Sequence, residues 1–137
     1  SSGMFITMVV GCFDPQKKQV TLINAGHEPV IFIDSNKQMH SYPANFRPVG
    51  IMPIDGEESI ESTTIDAEEG KIFIYTDGVT EGYINANKEE LGADGVEKII
   101  KENYQSSLKD IIDIIIQTLQ QSDQDRRDDI TCLGIQL

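Results

Sequence analysis

A chain of 137 residues is one domain's worth of sequence and can bury about two-thirds of the surface its unfolded form exposes. The 11 Lys and Arg against 23 Asp and Glu give a net charge of −12, which excludes a nucleic-acid backbone or an anionic membrane surface as the main partner, since both require clustered cations. A hydrophobic share of 39% without low-complexity tracts excludes a disordered chain, and no apolar run approaches the ~20 residues of a membrane span.

Ser1-Ser2-Gly3 reads either as a native lead-in or as a tag remnant, and the domain proper is expected over residues 4–137. No basic segment precedes Met4, so no signal peptide is expected. Phe5 to Phe13 is nearly all apolar and β-branched, which predicts a strand covered on both faces. Asp14-Pro15-Gln16-Lys17 is a turn, because Pro fixes its own dihedral and Asp bonds back to the backbone. Gln19 to Ala25 is the hairpin partner, Gly26-His27-Glu28-Pro29 breaks it, and Val30 to Asp34 and Gln38 to Tyr42 form the next strand pair.

Three prolines and two glycines between Pro43 and Glu57 mark a loop region. Ser59 to Ile65 alternates weakly, as an exposed edge strand does. Lys71 to Thr76 is short, dense and apolar, which predicts a buried strand. Asp94-Gly95-Val96-Glu97 has the form of a capping box and predicts a helix start there. Ser107 opens a second helix with an apolar stripe of Leu108, Ile111, Ile112, Ile115 and Leu119. A polar linker spans Gln120 to Arg127, and Ile130 to Leu137 is a last strand. Strands, then two helices, then one strand is an antiparallel α+β order rather than a repeating βαβ rhythm.

Cys12 and Cys132 stand 120 residues apart in strand-like stretches. They read as reduced, buried small hydrophobes or, less readily, as a disulfide staple; the first reading points to a reducing, cytoplasmic setting. His27 and His40 are the only histidines, and nothing around them has ligand spacing, so both read as structural. Nucleotide-binding glycine fingerprints are absent.

Two acidic sites border the most apolar strands. Asp77-Gly78 follows KIFIYT directly, and Asp128-Asp129 directly precedes ITCLGIQL. A carboxylate at a strand end is a common holder of Mg²⁺ or Mn²⁺, which take oxygen ligands and keep several waters. Asp-Gly is also an ordinary turn, and an Asp pair before a strand is ordinarily solvated, so spacing alone leaves both readings open.

IYTDGVTEG (Ile74 to Gly82), DDIT (Asp128 to Thr131), NAGHEP (Asn24 to Pro29), GMFITM (Gly3 to Met8) and FRPVGI (Phe46 to Ile51) occur in the order found in bacterial SpoIIE/RsbU-type phosphatases. The chain resembles that family, part of the metal-dependent, type-2C-like phosphatase superfamily, over almost its whole length. The resemblance implies an α+β layered sandwich of antiparallel sheets flanked by helices, with two Mn²⁺ or Mg²⁺ ions at one sheet edge. It implies Asp77 and Asp128 as metal ligands acting in catalysis through the metal. Gly78, Glu81 and Asp129 become supporting neighbours, Asp129 orienting rather than binding.

The implied reaction is hydrolysis of phosphoserine or phosphothreonine by in-line attack of a metal-bound hydroxide, with a phosphorylated regulatory protein as partner, such as an anti-sigma-factor antagonist. Neither nucleic acid nor direct membrane contact is expected. No residue here matches the family's early Asp-x-x-Gly-type motif, whose Asp bridges the two metals. Asp14 precedes Pro15 in a turn, and Asp55 is out of place. The chain is therefore expected to be the C-terminal part of such a domain without its N-terminal strands, binding metal weakly or not at all and inactive alone.

The rival readings are a non-catalytic interaction module on the same fold, and a metal-dependent phosphohydrolase of small molecules. The strands KIFIYT and ITCLGIQL are both expected inside the sheet, with Ile72, Ile74, Ile130 and Leu133 among the most buried residues and Leu133→Ala costing on the order of 2–5 kcal/mol. Exposed strands left by the missing segment are expected to drive homo-oligomer formation by edge pairing or strand exchange.

Overall fold

A computed structural model describes residues 3–119 and 128–137; the linker expected over Gln120 to Arg127 lies outside the described residues. The elements in chain order are β1 (Met8–Asp14), β2 (Gln19–Ala25), β3 (Val30–Asp34), β4 (Met39–Tyr42), β5 (Thr63–Asp66), β6 (Gly70–Tyr75), α1 (Asp77–Thr80), α2 (Gly92–Glu102), α3 (Leu108–Thr118) and β7 (Cys132–Gln136). The strands make two antiparallel sheets, of order β1-β2-β5 and β4-β3-β6-β7. With the helices this is an α+β architecture, as the element order predicts. The chain divides into two compact units.

The first unit, Ser1–Val30 with Ser41–Glu68, carries the three-stranded sheet. Its hairpin turn forms as the sequence demands: Asp14 Oδ1 accepts from the Gln16 and Lys17 amides at 2.9 and 3.0 Å, and Lys18 adopts a left-handed φ of 50°. Val20, Leu22 and Ile65 are buried within this unit. The NAGHEP turn is built on Asn24, a fully buried polar side chain that is fully engaged. Its amide donates to Glu28 O, its carbonyl accepts from the His27 N–H, and its backbone N–H donates to Asn45 Oδ1, each at 2.9 Å. Gly26 has a φ of +68°, and a Cβ there would stand 2.3 Å from the Pro48 ring, so no other residue fits. His27 joins the same structural network through Thr7 Oγ1 at 3.2 Å.

The second unit, Ile31–His40 with Glu69–Leu137, carries the four-stranded sheet and the helices. Its core gathers Ile31, Ile33, Phe73 and Tyr75 from the sheet with Val79, Val96, Ile100, Ile111 and Ile115 from the helices. The α3 stripe is thus core, and Ser107 caps that helix as expected, its hydroxyl accepting from the Asp110 N–H at 3.1 Å. Lys71 is a buried cation whose Nζ donates to Tyr104 O and, at 2.9 Å, to Ser106 O, with the Tyr104 ring 4.7 Å away. Burial pulls its amine below the usual lysine range, and the two carbonyls tie the α2–α3 turn to β6. Asp34 holds the β3–β4 turn by accepting from the Asn36 and Gln38 amides, and His40 pairs with it while stacking on Phe32.

Several expectations are corrected. Phe5 to Phe13 is not covered on both faces: β1 starts only at Met8, lies at a sheet edge, and is half-buried only at Val9 and Asp14. Cys12 is accordingly exposed, while burial pushes the Cys132 thiol up to about 11; both cysteines are free. The Asp94 capping box does not start a helix, because α2 begins at Gly92 after Leu91 and Asp94 lies within its first turn. An unexpected short helix, α1, follows β6 directly.

The last correction concerns β7. KIFIYT is interior, between β3 and β7, and both its faces are buried at Ile72 and Phe73. ITCLGIQL is an edge strand instead: Leu133 is 52% exposed and Ile135 39%, while Ile74 and Ile130 are only half-buried. One face of β7 packs on α3, where a Cβ at Gly134 would touch Leu108 and Ile112, and the alternate residues look outward. Leu133→Ala is therefore expected to cost below about 1 kcal/mol in urea unfolding, the level of an exposed site. A loss in the range of roughly 2–5 kcal/mol would mean that this face is covered in solution.

Candidate functional site

The site is built where β6 and β7 end. Their ladder runs from Lys71↔Gln136 to Tyr75↔Cys132. One residue further on, the Thr76 N–H still donates to Thr131 O at 3.0 Å. Asp77 then opens α1, a single turn in which Asp77 O accepts from the Glu81 N–H at 2.8 Å and from Thr80 Oγ1 at 3.1 Å. The strand end thus turns sharply and leaves the Asp77 side chain exposed.

The DDIT segment lies beside this turn. Gly78 is buried, and a Cβ built on it would stand 2.3 Å from Asp129 O and 3.4 Å from Asp128 O. Only a glycine lets the two backbones approach so closely. Asp128 Oδ1 accepts from the Asp129 N–H at 2.7 Å, which fixes one carboxylate oxygen. Thr76 Oγ1 accepts from the Thr131 N–H and donates to Asp129 O, both at 3.0 Å. Asp77, Asp128 and Asp129 are therefore on adjoining backbone segments, and all three side chains are exposed. Glu81 is exposed at the end of α1, attached to Asp77 only through its backbone amide.

The donors here are carboxylate oxygens, which suit a hard divalent cation and not a soft one. Among the described residues no group of three or more His, Cys, Asp or Glu side chains is placed to hold a metal ion. A hard cation such as Mg²⁺ needs only one or two protein carboxylates, because it completes its shell with water. It does not by itself make a two-metal cage. Thr76 escaped the sequence reading; its signal was a hydroxyl residue immediately before the strand-end Asp.

Residues 1–137 match the family model described as Stage II sporulation protein E (SpoIIE). The chain belongs to the SpoIIE family. Among curated proteins it is 36% identical over 118 residues to protein IcfG of Synechocystis sp., covering 85% of this chain and 18% of that protein. It is 25% identical over 120 residues to the phosphoserine phosphatase RsbP of Bacillus subtilis, covering 87% and 27%. The chain thus spans only a minor part of the length of these relatives.

Among solved structures, the SiaA-PP2C domain of Pseudomonas aeruginosa is similar with a TM-score of 0.78 at 14% identity, covering 96% of this chain and 51% of that one. The phosphatase domain of SpoIIE from Bacillus subtilis, presoaked with Mn, gives 0.66 at 16%, covering 96% and 56%. Both likenesses establish the fold, that of PP2C-type phosphatase domains. No helix among the described residues is long and apolar enough to cross a membrane.

Proposed function

We propose that this SpoIIE-family chain is part of a metal-dependent phosphoprotein Ser/Thr phosphatase, acting on a phosphorylated regulatory protein. The observation that carries the reading is the meeting of Asp77-Gly78 with Asp128-Asp129 at one end of the β6–β7 pair. Asp77 and Asp128 would hold Mn²⁺ or Mg²⁺. Such an ion, when bound, polarises the phosphoryl oxygens and makes water a nucleophile at neutral pH.

The chain's own charge argues for a cation. A phosphoserine carries about −1.5 to −2 at pH 7, and a bare site of three carboxylates on a chain of net charge −12 repels it. A divalent ion reverses the local sign. Gly78 contributes by admitting close backbone approach, and Asp129 by orienting Asp128 through its N–H. The name of RsbP as a phosphoserine phosphatase supports the substrate class. Two free cysteines suit the cytoplasm, where phosphorylated regulators such as anti-sigma-factor antagonists are found. Two candidate ligands form a sparse set, so this chain alone is proposed to hold the ion weakly and to turn over little.

The carboxylate count also favours a second reading, a non-catalytic interaction module on the same fold. One experiment separates the two: phosphate release from a phosphoserine-bearing protein by the full-length protein that carries this chain, with Mn²⁺ and with EDTA. Release that requires the metal is expected. No release with Mn²⁺ would favour the module, and release indifferent to EDTA would overturn the metal role.

A further inference from the structure

The Thr76 hydroxyl is not where its position in the chain would put it. Thr76 is the N-cap residue of α1, with extended backbone angles of φ −86° and ψ 160°. A threonine there ordinarily turns its oxygen onto an amide of the first helical turn. Here it makes no such cap bond. Its hydroxyl instead reaches across to the other strand, accepting from the Thr131 N–H and donating to Asp129 O, both at 3.0 Å.

This placement has a specific consequence. The β6–β7 ladder ends at Tyr75↔Cys132, so the acids lie beyond the regular sheet. The Thr76 N–H to Thr131 O bond adds one more rung, and the hydroxyl adds two on the same side chain. These bonds hold Asp129 and Thr131 on either side of Ile130 and set the path of the backbone that presents Asp128. On the other side Asp129 O abuts Gly78, so the segment is located from two directions.

We propose that the Thr76 hydroxyl is a latch that sets Asp128 and Asp129 against Asp77, making Thr76 a positioning residue for divalent-cation binding. This rests on the reading of Asp77 and Asp128 as cation ligands. Thr76→Val keeps the shape and β-branching but removes both hydroxyl bonds, whereas Thr76→Ser keeps the hydroxyl. Groups that orient metal ligands typically contribute roughly 10–100-fold in affinity.

The test, made on the full-length protein that carries this chain, is Mn²⁺ binding by calorimetry and by the electron paramagnetic resonance signal of free Mn²⁺, with amide hydrogen exchange at Thr131. Thr76→Val is expected to weaken Mn²⁺ binding by about tenfold or more, with Thr76→Ser within a few-fold of wild type. The Thr131 amide is expected to be protected in wild type and to exchange faster in Thr76→Val. Thr76→Val binding as tightly as wild type, or Thr76→Ser failing as badly as Thr76→Val, overturns the latch alone. An unprotected Thr131 amide in wild-type protein overturns it even if Thr76→Val does not fold. Wild-type protein that takes up no Mn²⁺ overturns the cation reading, and the assigned role of Thr76 with it.

Discussion

Asp77→Asn is expected to reduce Mn²⁺-dependent phosphate release by on the order of a hundredfold or more, since loss of a group that merely orients a metal ligand already costs roughly 10–100-fold. The substitution keeps the shape and one carbonyl oxygen but removes the charge that would hold the cation. Its effect on folding should be small, within about 0.5 kcal/mol, because the Asp77 side chain is exposed. Asp128→Asn should act in the same direction. Asp129→Asn should act less, because Asp129 contributes its N–H to Asp128 Oδ1 and its carbonyl to Thr76, and both are backbone atoms. Phosphate release and thermal melting measured on the same preparations decide the matter. Unchanged release by Asp77→Asn in a folded protein would remove this residue from the site.

Phe73→Ala is expected to be the most damaging core substitution, at about 3–5 kcal/mol. Phe73 is fully buried in the interior strand β6, paired with Ile31 on one side and Gly134 on the other. Its ring belongs to the cluster of Ile33, Tyr75, Val96, Ile100, Ile111 and Ile115. Truncation leaves a cavity between sheet and helices that neighbours on both layers cannot close. Total stabilities of domains run about 5–15 kcal/mol, so such a loss leaves little reserve. Each kcal/mol lowers the melting temperature by roughly 4–8 °C in a small domain. A urea midpoint barely shifted from wild type would mean that this core is loosely packed. The contrast with Leu133→Ala, one strand position before the helix-facing Gly134 and therefore on the opposite face, is itself informative: Phe73 and Leu133 are both large and apolar, but only Phe73 has helices over it.

Much of the candidate site could be read from the chain itself. Asp77-Gly78 after one apolar strand and Asp128-Asp129 before another are local facts, and their order along the chain carries the family resemblance. Strands β2, β3 and β6 follow from dense β-branched runs, and α3 follows from its stripe and from Ser107, because periodicity and capping depend only on neighbours in sequence. What a strand has beside it is not local. FITMVVGCF and ITCLGIQL are as apolar as KIFIYT, but β1 and β7 are edges and β6 is interior. Hydrophobicity reports what a segment would gain from burial; the strand order decides whether any partner is there. The same holds for Thr76. Sequence makes it the last residue of an apolar strand, and only the arrival of Thr131 and Asp129, more than fifty residues later, gives its hydroxyl its pair of partners.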